Sequence, residues 1–179
     1  MTNKNFLSLD MEYNQPSKAI IQIGITIGNL ATGDILERKK WHIKSDEILA
    51  PYIIKLTAIT QEDVDNGKSL IEIYTELEAL HKQYDCFRNV ITWGGGDSED
   101  LRNGLKLDDE TFLFGRRWID AKTEFIGYCF ANDMHHQSGL AKSLTRLGLK
   151  FEGRKHDAGD DSYNTFKIYR ELLKLKEKK

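Results

Sequence analysis

Apolar and polar residues alternate from Phe6 to Tyr13, with Leu7, Leu9 and Met11 on one face and Ser8, Asp10 and Glu12 on the other. A period of two over this length predicts a strand. An isoleucine-rich run from Ala19 to Leu30 follows, then the turn signal Ala31-Thr32-Gly33-Asp34 and a returning run from Ile35 to Ile43. These three strands are expected to form an antiparallel meander. The period changes at Ser69 to Tyr84, where Leu70, Ile73, Tyr74, Leu77 and His81 recur at helical spacing between charged residues. A fourth strand is predicted at Asn89 to Trp93, ended by Gly94-Gly95-Gly96, and a fifth at Arg116 to Ala121. Asp97 to Leu105, Thr123 to Ala131, Ser138 to Leu147 and about Asp160 to Lys176 read as helices. Hairpin-linked strands followed by alternating helix and strand imply an α/β fold, one mixed five-stranded sheet flanked by helices.

The 179 residues suit a single domain spanning 1–179. No apolar run approaches the roughly 20 residues that a membrane helix needs. Met1-Thr-Asn-Lys-Asn lacks the charged and apolar regions of a signal peptide, so the simplest expectation is a cytoplasmic chain without membrane contact. Cys86 and Cys129 form no Cys-x-x-Cys pattern and read as buried thiols. Basic residues gather at Arg38-Lys39-Lys40, Arg116-Arg117, Arg154-Lys155 and Lys174 to Lys179, most of which read as solvated surface.

Three stretches carry candidate chemistry. Asp10-x-Glu12 projects two carboxylates to the same side of an apolar strand, where like charges would repel unless a cation joined them; an exposed strand face is the alternative. Asp97 stands beyond the carboxyl end of the fourth strand, where open α/β sheets bind ligands. Its alternative is an N-cap for the helix carrying Leu101 and Leu105. His156-Asp-Ala-Gly-Asp-Asp161 places histidine five residues before aspartate, about 140° apart on a regular helix. The two face one site only if His156 lies in the preceding loop, with Gly159 permitting the turn and Asp161 in the first helical turn. Histidine's ordinary pKa near 6.5 suits deprotonating a water, although a lone loop histidine also has a purely structural reading.

A net charge of −2 argues against a nucleic-acid binder, yet two divalent cations at such a cluster would bring the chain to +2. Two decoys are set aside. Asp133 with His135-His136 reads as exposed loop, and Trp41 and Trp118 read as core.

In this order, Leu9-Asp10-Met11-Glu12, Trp93-Gly-Gly-Gly-Asp97 and His156 to Asp161 resemble the DEDD exonucleases of the DnaQ-like, ribonuclease-H-like superfamily, in the branch with a histidine (DEDDh). Leu56-Thr57-Ala58-Ile59-Thr60-Gln61-Glu62-Asp63-Val64 looks like the family's segment lining the terminal-nucleotide pocket. Ser138 to Gly148 leading to Gly153-Arg154-Lys155-His156 is similar to Eri-type exonucleases. The resemblance implies metal-dependent 3′-to-5′ hydrolysis at the 3′ end of single-stranded RNA or DNA, RNA being favoured, with release of nucleoside 5′-monophosphates.

By the same carry-over Asp10, Glu12 and Asp161 would hold one cation, Asp10 a second, and Asp97 would bind through water. His156 would be the general base. Met11, Leu56, Thr57 and Ile59 would surround the last nucleotide, Met11 mainly through its backbone. An all-carboxylate site suits Mg²⁺ or Mn²⁺. The chain departs from the Eri-type pattern at Gly96, where those enzymes have an aromatic residue that stacks a base, and Trp93 is a possible substitute. The competing expectation is a catalytically silent module that binds nucleic acid or a polymerase-like partner.

Overall fold

The computed structural model describes residues 4–108, 110–115, 117–137 and 139–177. Its elements run β1 (Asn5–Tyr13), β2 (Ile20–Asn29), β3 (Ile35–His42), α1 (Pro51–Thr57), α2 (Gln61–Asp65), α3 (Leu70–Gln83), β4 (Ile91–Thr92), α4 (Asp97–Leu105), β5 (Ile119–Asp120), α5 (Ala121–Ala131), α6 (Leu140–Arg146) and α7 (Ala158–Glu177). They form a mixed five-stranded sheet in the order β3-β2-β1-β4-β5. The first three strands are the expected antiparallel meander; β4 and β5 join β1 in parallel.

Alternation in β1 sorts its two faces as the sequence implies. Leu7, Leu9 and Met11 join Ile23, Ile25 and Ile27 of β2 in a core closed by Ile73, Tyr74 and Leu77 of α3. Each such side chain fully buried contributes roughly 1.5–3 kcal/mol. Ser69 and Glu72 close a capping box at the start of α3. Across the sheet, α5, α6 and α7 share Phe125, Leu140, Leu144, Ile168 and Leu172.

Two elements are shorter than predicted. The fourth strand keeps only Ile91–Thr92, and the fifth only Ile119–Asp120, with Ala121 already the first residue of α5. Arg116, where the fifth strand was expected to begin, lies outside the described residues, as do Ser138 at the expected start of α6 and Lys178–Lys179 of the basic tail. The short helices α1 and α2 were not foreseen; they bring Ile53, Ile59 and Val64 against Ile21 and Leu49. Cys86 and Cys129 are buried free thiols. No helix among the described residues is long and apolar enough to cross a membrane.

The face of β1 and β2 turned toward α7 is built from small and polar residues. Gly24 pairs with Asp10 across the ladder, and a Cβ added to it would lie 2.0 Å from the Ala158 carbonyl carbon and 2.1 Å from the Gly159 nitrogen. The first turn of α7 therefore rests directly on the β2 backbone. Gln22 Oε1 accepts from the Ala158 N–H at 2.8 Å, and the Thr26 and Ser162 hydroxyls meet at 3.2 Å. The Ser8 hydroxyl donates to the Ser162 carbonyl. These contacts set the height and register of α7 over β1.

Because the obstacle at Gly24 is backbone, a methyl group there has nowhere to go. Gly24→Ala should cost about 2 kcal/mol in urea denaturation. Gly95→Ala, whose added carbon meets nothing within 4 Å, should stay within about 0.5 kcal/mol of the parent. Equal stability of the two variants would refute the packing account.

Candidate active site

The sheet's parallel strands all end on one side. Ser8 of β1 lies beside Ile91 of β4, and Ile91 beside Ile119 of β5, so Asp10, Glu12, the Gly94–Asp97 segment and the start of α5 share the carboxyl ends of these strands. Into that end α7 delivers Asp161 in its first turn, where the Asp161 N–H donates to the Asp157 carbonyl at 2.8 Å.

His156 lies in the loop before α7, as the five-residue offset requires, but the expected role of Gly159 is corrected. Gly159 is helical, and the positive φ angles belong to Gly153, at 83°, and to His156 itself, at 61°. The real constraint at Gly159 is crowding: its Cβ would lie 3.2 Å from Asp157 Oδ1 and 3.3 Å from Lys40. His156 is held in the left-handed region by its own N–H, which donates to Asp161 Oδ2 at 2.9 Å. The segment thus ties the histidine to the aspartate it must face.

Ligand atoms of Glu12, His156 and Asp161 all lie within 4.8 Å of one another. Asp10 and Asp161 line one cleft of about 500 Å³ with His156 on its exposed rim. Asp97 joins from the opposite side. It is the first residue of α4, not its cap: the N-cap is Gly96, at φ 111°. Asp97 Oδ1 accepts from the Tyr13 hydroxyl at 3.1 Å.

Burial and mutual repulsion dominate the electrostatics. Burial, reinforced by Asp161, Glu12 and Asp97, raises Asp10 well above the ordinary carboxylate range. Burial, with Asp161 and Asp157, pushes Glu12 up to about 7 against the opposing pull of Arg154. Burial takes Asp97 to about 6 despite the Tyr13 hydrogen bond, and Asp161 to about 6 despite the His156 N–H. Burial and Asp97 hold the Tyr13 phenol above its usual range, so it remains a donor. Clustered oxygen donors with raised pKa values fit a hard divalent cation, whose charge would relieve this repulsion.

The expected nucleotide-contacting residues divide. Met11 is buried on the face opposite Asp10, leaving its backbone on the site side. Thr57 is also buried; its hydroxyl donates to the Ile53 carbonyl and accepts from the Ile59 N–H. Ile59 is core. Leu56 is exposed, and its carbonyl accepts from Arg154 Nη2 at 3.2 Å, which joins α1 to the histidine loop.

Several neighbours were not legible from sequence. Lys122, Lys142 and Phe151 line the cleft with Asp10 and Asp161, beside Trp93, which the sequence already offered as a stacking surface. Tyr13 belongs to the core face of β1 by alternation and packs against the main core, and nothing in the sequence signals that its hydroxyl also reaches Asp97. Part of the basic run is bracing rather than free surface: Arg38 pairs with Asp160 at 2.9 Å and Lys40 with Asp157, flanking Asp161. The set-aside residues stay outside the site. The His136 ring stacks on Phe130, His135 Nδ1 meets Arg146, Trp41 is buried, and Trp118 packs against the main core.

A family model described as Exonuclease (RNase_T) matches residues 7–169. The chain belongs to this exonuclease family. It is 27% identical over 174 residues to mouse (Mus musculus) ERI1 exoribonuclease 2, covering 83% of this chain and 24% of that protein. It is 22% identical over 181 residues to the probable 3′-5′ exonuclease KapD of Bacillus subtilis (strain 168), covering 95% of this chain and 85% of that one. Among solved structures, the nuclease domain of 3′hExo, a DEDDh family member bound to rAMP, superposes with a TM-score of 0.81 at 20% identity, over 97% of this chain and 93% of that one. The resemblance drawn from the three motifs, and the ribonuclease-H-like fold it implied, are both borne out. The chain spans about a quarter of the mouse relative's length.

Raised carboxylate pKa values have a defined consequence for stability. Each group binds its proton more tightly folded than unfolded, so from about pH 4 to about 7 the folded state holds more protons and stability falls as pH rises. Glu12→Gln removes one such group. In metal-free buffer its Tm gain over the parent should therefore grow between pH 5 and pH 8; a gain independent of pH would contradict the assignment.

Proposed function

We propose that the chain is a metal-dependent 3′-5′ exonuclease that removes nucleoside 5′-monophosphates from single-stranded nucleic acid, RNA in preference to DNA. The observation that carries this reading is the convergence of Glu12, His156 and Asp161 within 4.8 Å beside Asp10, in a chain of the exonuclease family. The exoribonuclease name of the mouse relative and the rAMP bound to the structural neighbour support RNA.

In this reading Asp10, Glu12, Asp97 and Asp161 would hold divalent cations, Mg²⁺ or Mn²⁺. Two such cations would supply positive charge to the attacking and leaving oxygens of an in-line displacement. Asp97 is oriented by the Tyr13 hydroxyl, which donates to its Oδ1. His156 takes the proton of the attacking water as the oxygen forms its bond to phosphorus. The bond from phosphorus to the 3′ oxygen of the preceding nucleotide breaks, leaving a 3′ hydroxyl on the shortened strand and a 5′-phosphate on the released nucleotide. The exposed position of His156 suits handing the proton on to solvent. Met11 backbone and Leu56 border the terminal nucleotide, and Arg154 joins Leu56 to the His156 loop, so the loop is positioned by the side that holds that nucleotide.

The proximity of His156 to Glu12 and Asp161 also admits the histidine as a cation ligand, a softer donor than the carboxylates. One series separates the roles. Asp10→Asn and Asp161→Asn should abolish both the rise in Tm on adding Mn²⁺ and the release of mononucleotides from a 5′-labelled oligomer. His156→Ala should lower kcat by about 10²- to 10⁴-fold while keeping most of the Mn²⁺-induced rise. Release that survives Asp10→Asn, or absence of shortening with any divalent cation, would defeat the exonuclease reading and leave a binding module.

A further inference from the structure

Beside the acid cluster lies an arm of the cleft that the chemistry above does not use. Trp93 follows β4 level with Asp10, half-exposed in the cleft wall, its ring centroid 6.0 Å from that of Phe125. Lys122 and Lys142 line the same cleft; both are exposed, and neither carries an ion pair with a described residue. Lys122 stands in the first turn of α5, whose N-terminal N–H groups the Asp120 carboxylate already caps, so its ammonium is the group left to meet an anion. The rim between Trp93 and Asp97 is bare: a Cβ on Gly94, Gly95 or Gly96 would meet nothing within 4 Å.

The two sides of the acid cluster therefore differ in kind. Toward α1 the path is crossed by Arg154 reaching the Leu56 carbonyl. Toward α5 and α6 it is open, walled by an indole and flanked by two cations that have no ion pair among the described residues. A polyanion passing four clustered carboxylates needs compensating positive charge, and an indole offers a stacking face to any base. We propose that this arm holds the substrate strand on the 5′ side of the scissile phosphate, with one base against Trp93 and its flanking phosphates against Lys122 and Lys142. Trp93 then supplies the stacking surface that Gly96 cannot. The proposal rests on the exonuclease reading, because it takes the acid cluster as the point of cleavage.

The test is binding of fluorescent single-stranded oligonucleotides of two to eight nucleotides, with Ca²⁺ in place of Mg²⁺ and strand integrity checked on a gel. Parent affinity should rise between two and four nucleotides. The double variant Lys122→Gln/Lys142→Gln should lower the slope of log affinity against log salt by about 0.7 per lysine. Trp93→Leu should weaken binding of the longer oligomers about tenfold. The exposed lysines can be changed without disturbing the core, so the double variant decides: an unchanged salt slope overturns the proposal even if Trp93→Leu fails to fold. A protein that shortens oligomers yet keeps the parent slope in that variant loses this strand path and keeps the exonuclease reading. One that shows the slope change yet releases no mononucleotide keeps the path and loses the reading.

Discussion

The site depends on how closely one helix can approach one strand. Asp161 and His156 come from the far end of the chain, and Asp10 and Glu12 from its start; they meet because Gly24, opposite Asp10, has no side chain to hold α7 away. With backbone against backbone, the first turn of α7 descends far enough for the Asp161 carboxylate to reach the level of β1. Gln22 fixes the turn from one side through the Ala158 N–H, and Ser8 and Thr26 fix it from the other through Ser162. The contacts that seat α7 are thus made by the small, polar face of β1 and β2, whose other face is aliphatic over Leu7, Leu9, Met11, Ile23, Ile25 and Ile27.

That precision has an electrostatic cost. Four carboxylates converge, and burial makes each harder to ionise than it would be in water. The fold offsets part of this from outside the cluster. Arg38 and Lys40 on β3 pair with Asp160 and Asp157, so two acids that precede Asp161 in sequence have cationic partners while Asp161 is left open toward Asp10. The Arg154 backbone N–H also donates to Asp160, at 2.8 Å, turning that carboxylate away from the cleft. The charge that remains is concentrated where a cation would meet it.

What the sequence made legible follows from periodicity. Long elements could be read: β1, α3 and α7 because one face is buried, β2 because isoleucine recurs along it, and β3 because a turn signal precedes it. The two-residue strands β4 and β5 could not be bounded, since two residues hold no period, and α1 and α2 are too short for one. The candidate acids were legible from motif order, and the offset between His156 and Asp161 required a loop before a helix. The agent of the turn was not: a positive φ on a histidine is uncommon, and it is stabilised here by the Asp161 carboxylate rather than by a neighbouring glycine. Gly24 was equally invisible, because nothing local distinguishes a glycine that admits a helix 134 residues later from one that merely weakens a strand.

The departure at Gly96 takes on a physical meaning in this frame. Its φ of 111° lies where side-chain-bearing residues rarely go, and it caps the helix that carries Asp97. An aromatic residue there would demand a different backbone path into α4 and would move Asp97 with it. A ring at Trp93 carries no such penalty. It precedes the glycines, directly follows β4, and packs against Phe125, which sets the orientation of the ring. The three glycines and the tryptophan before them therefore act as one unit, in which the backbone freedom that positions Asp97 leaves the aromatic surface to the end of the strand.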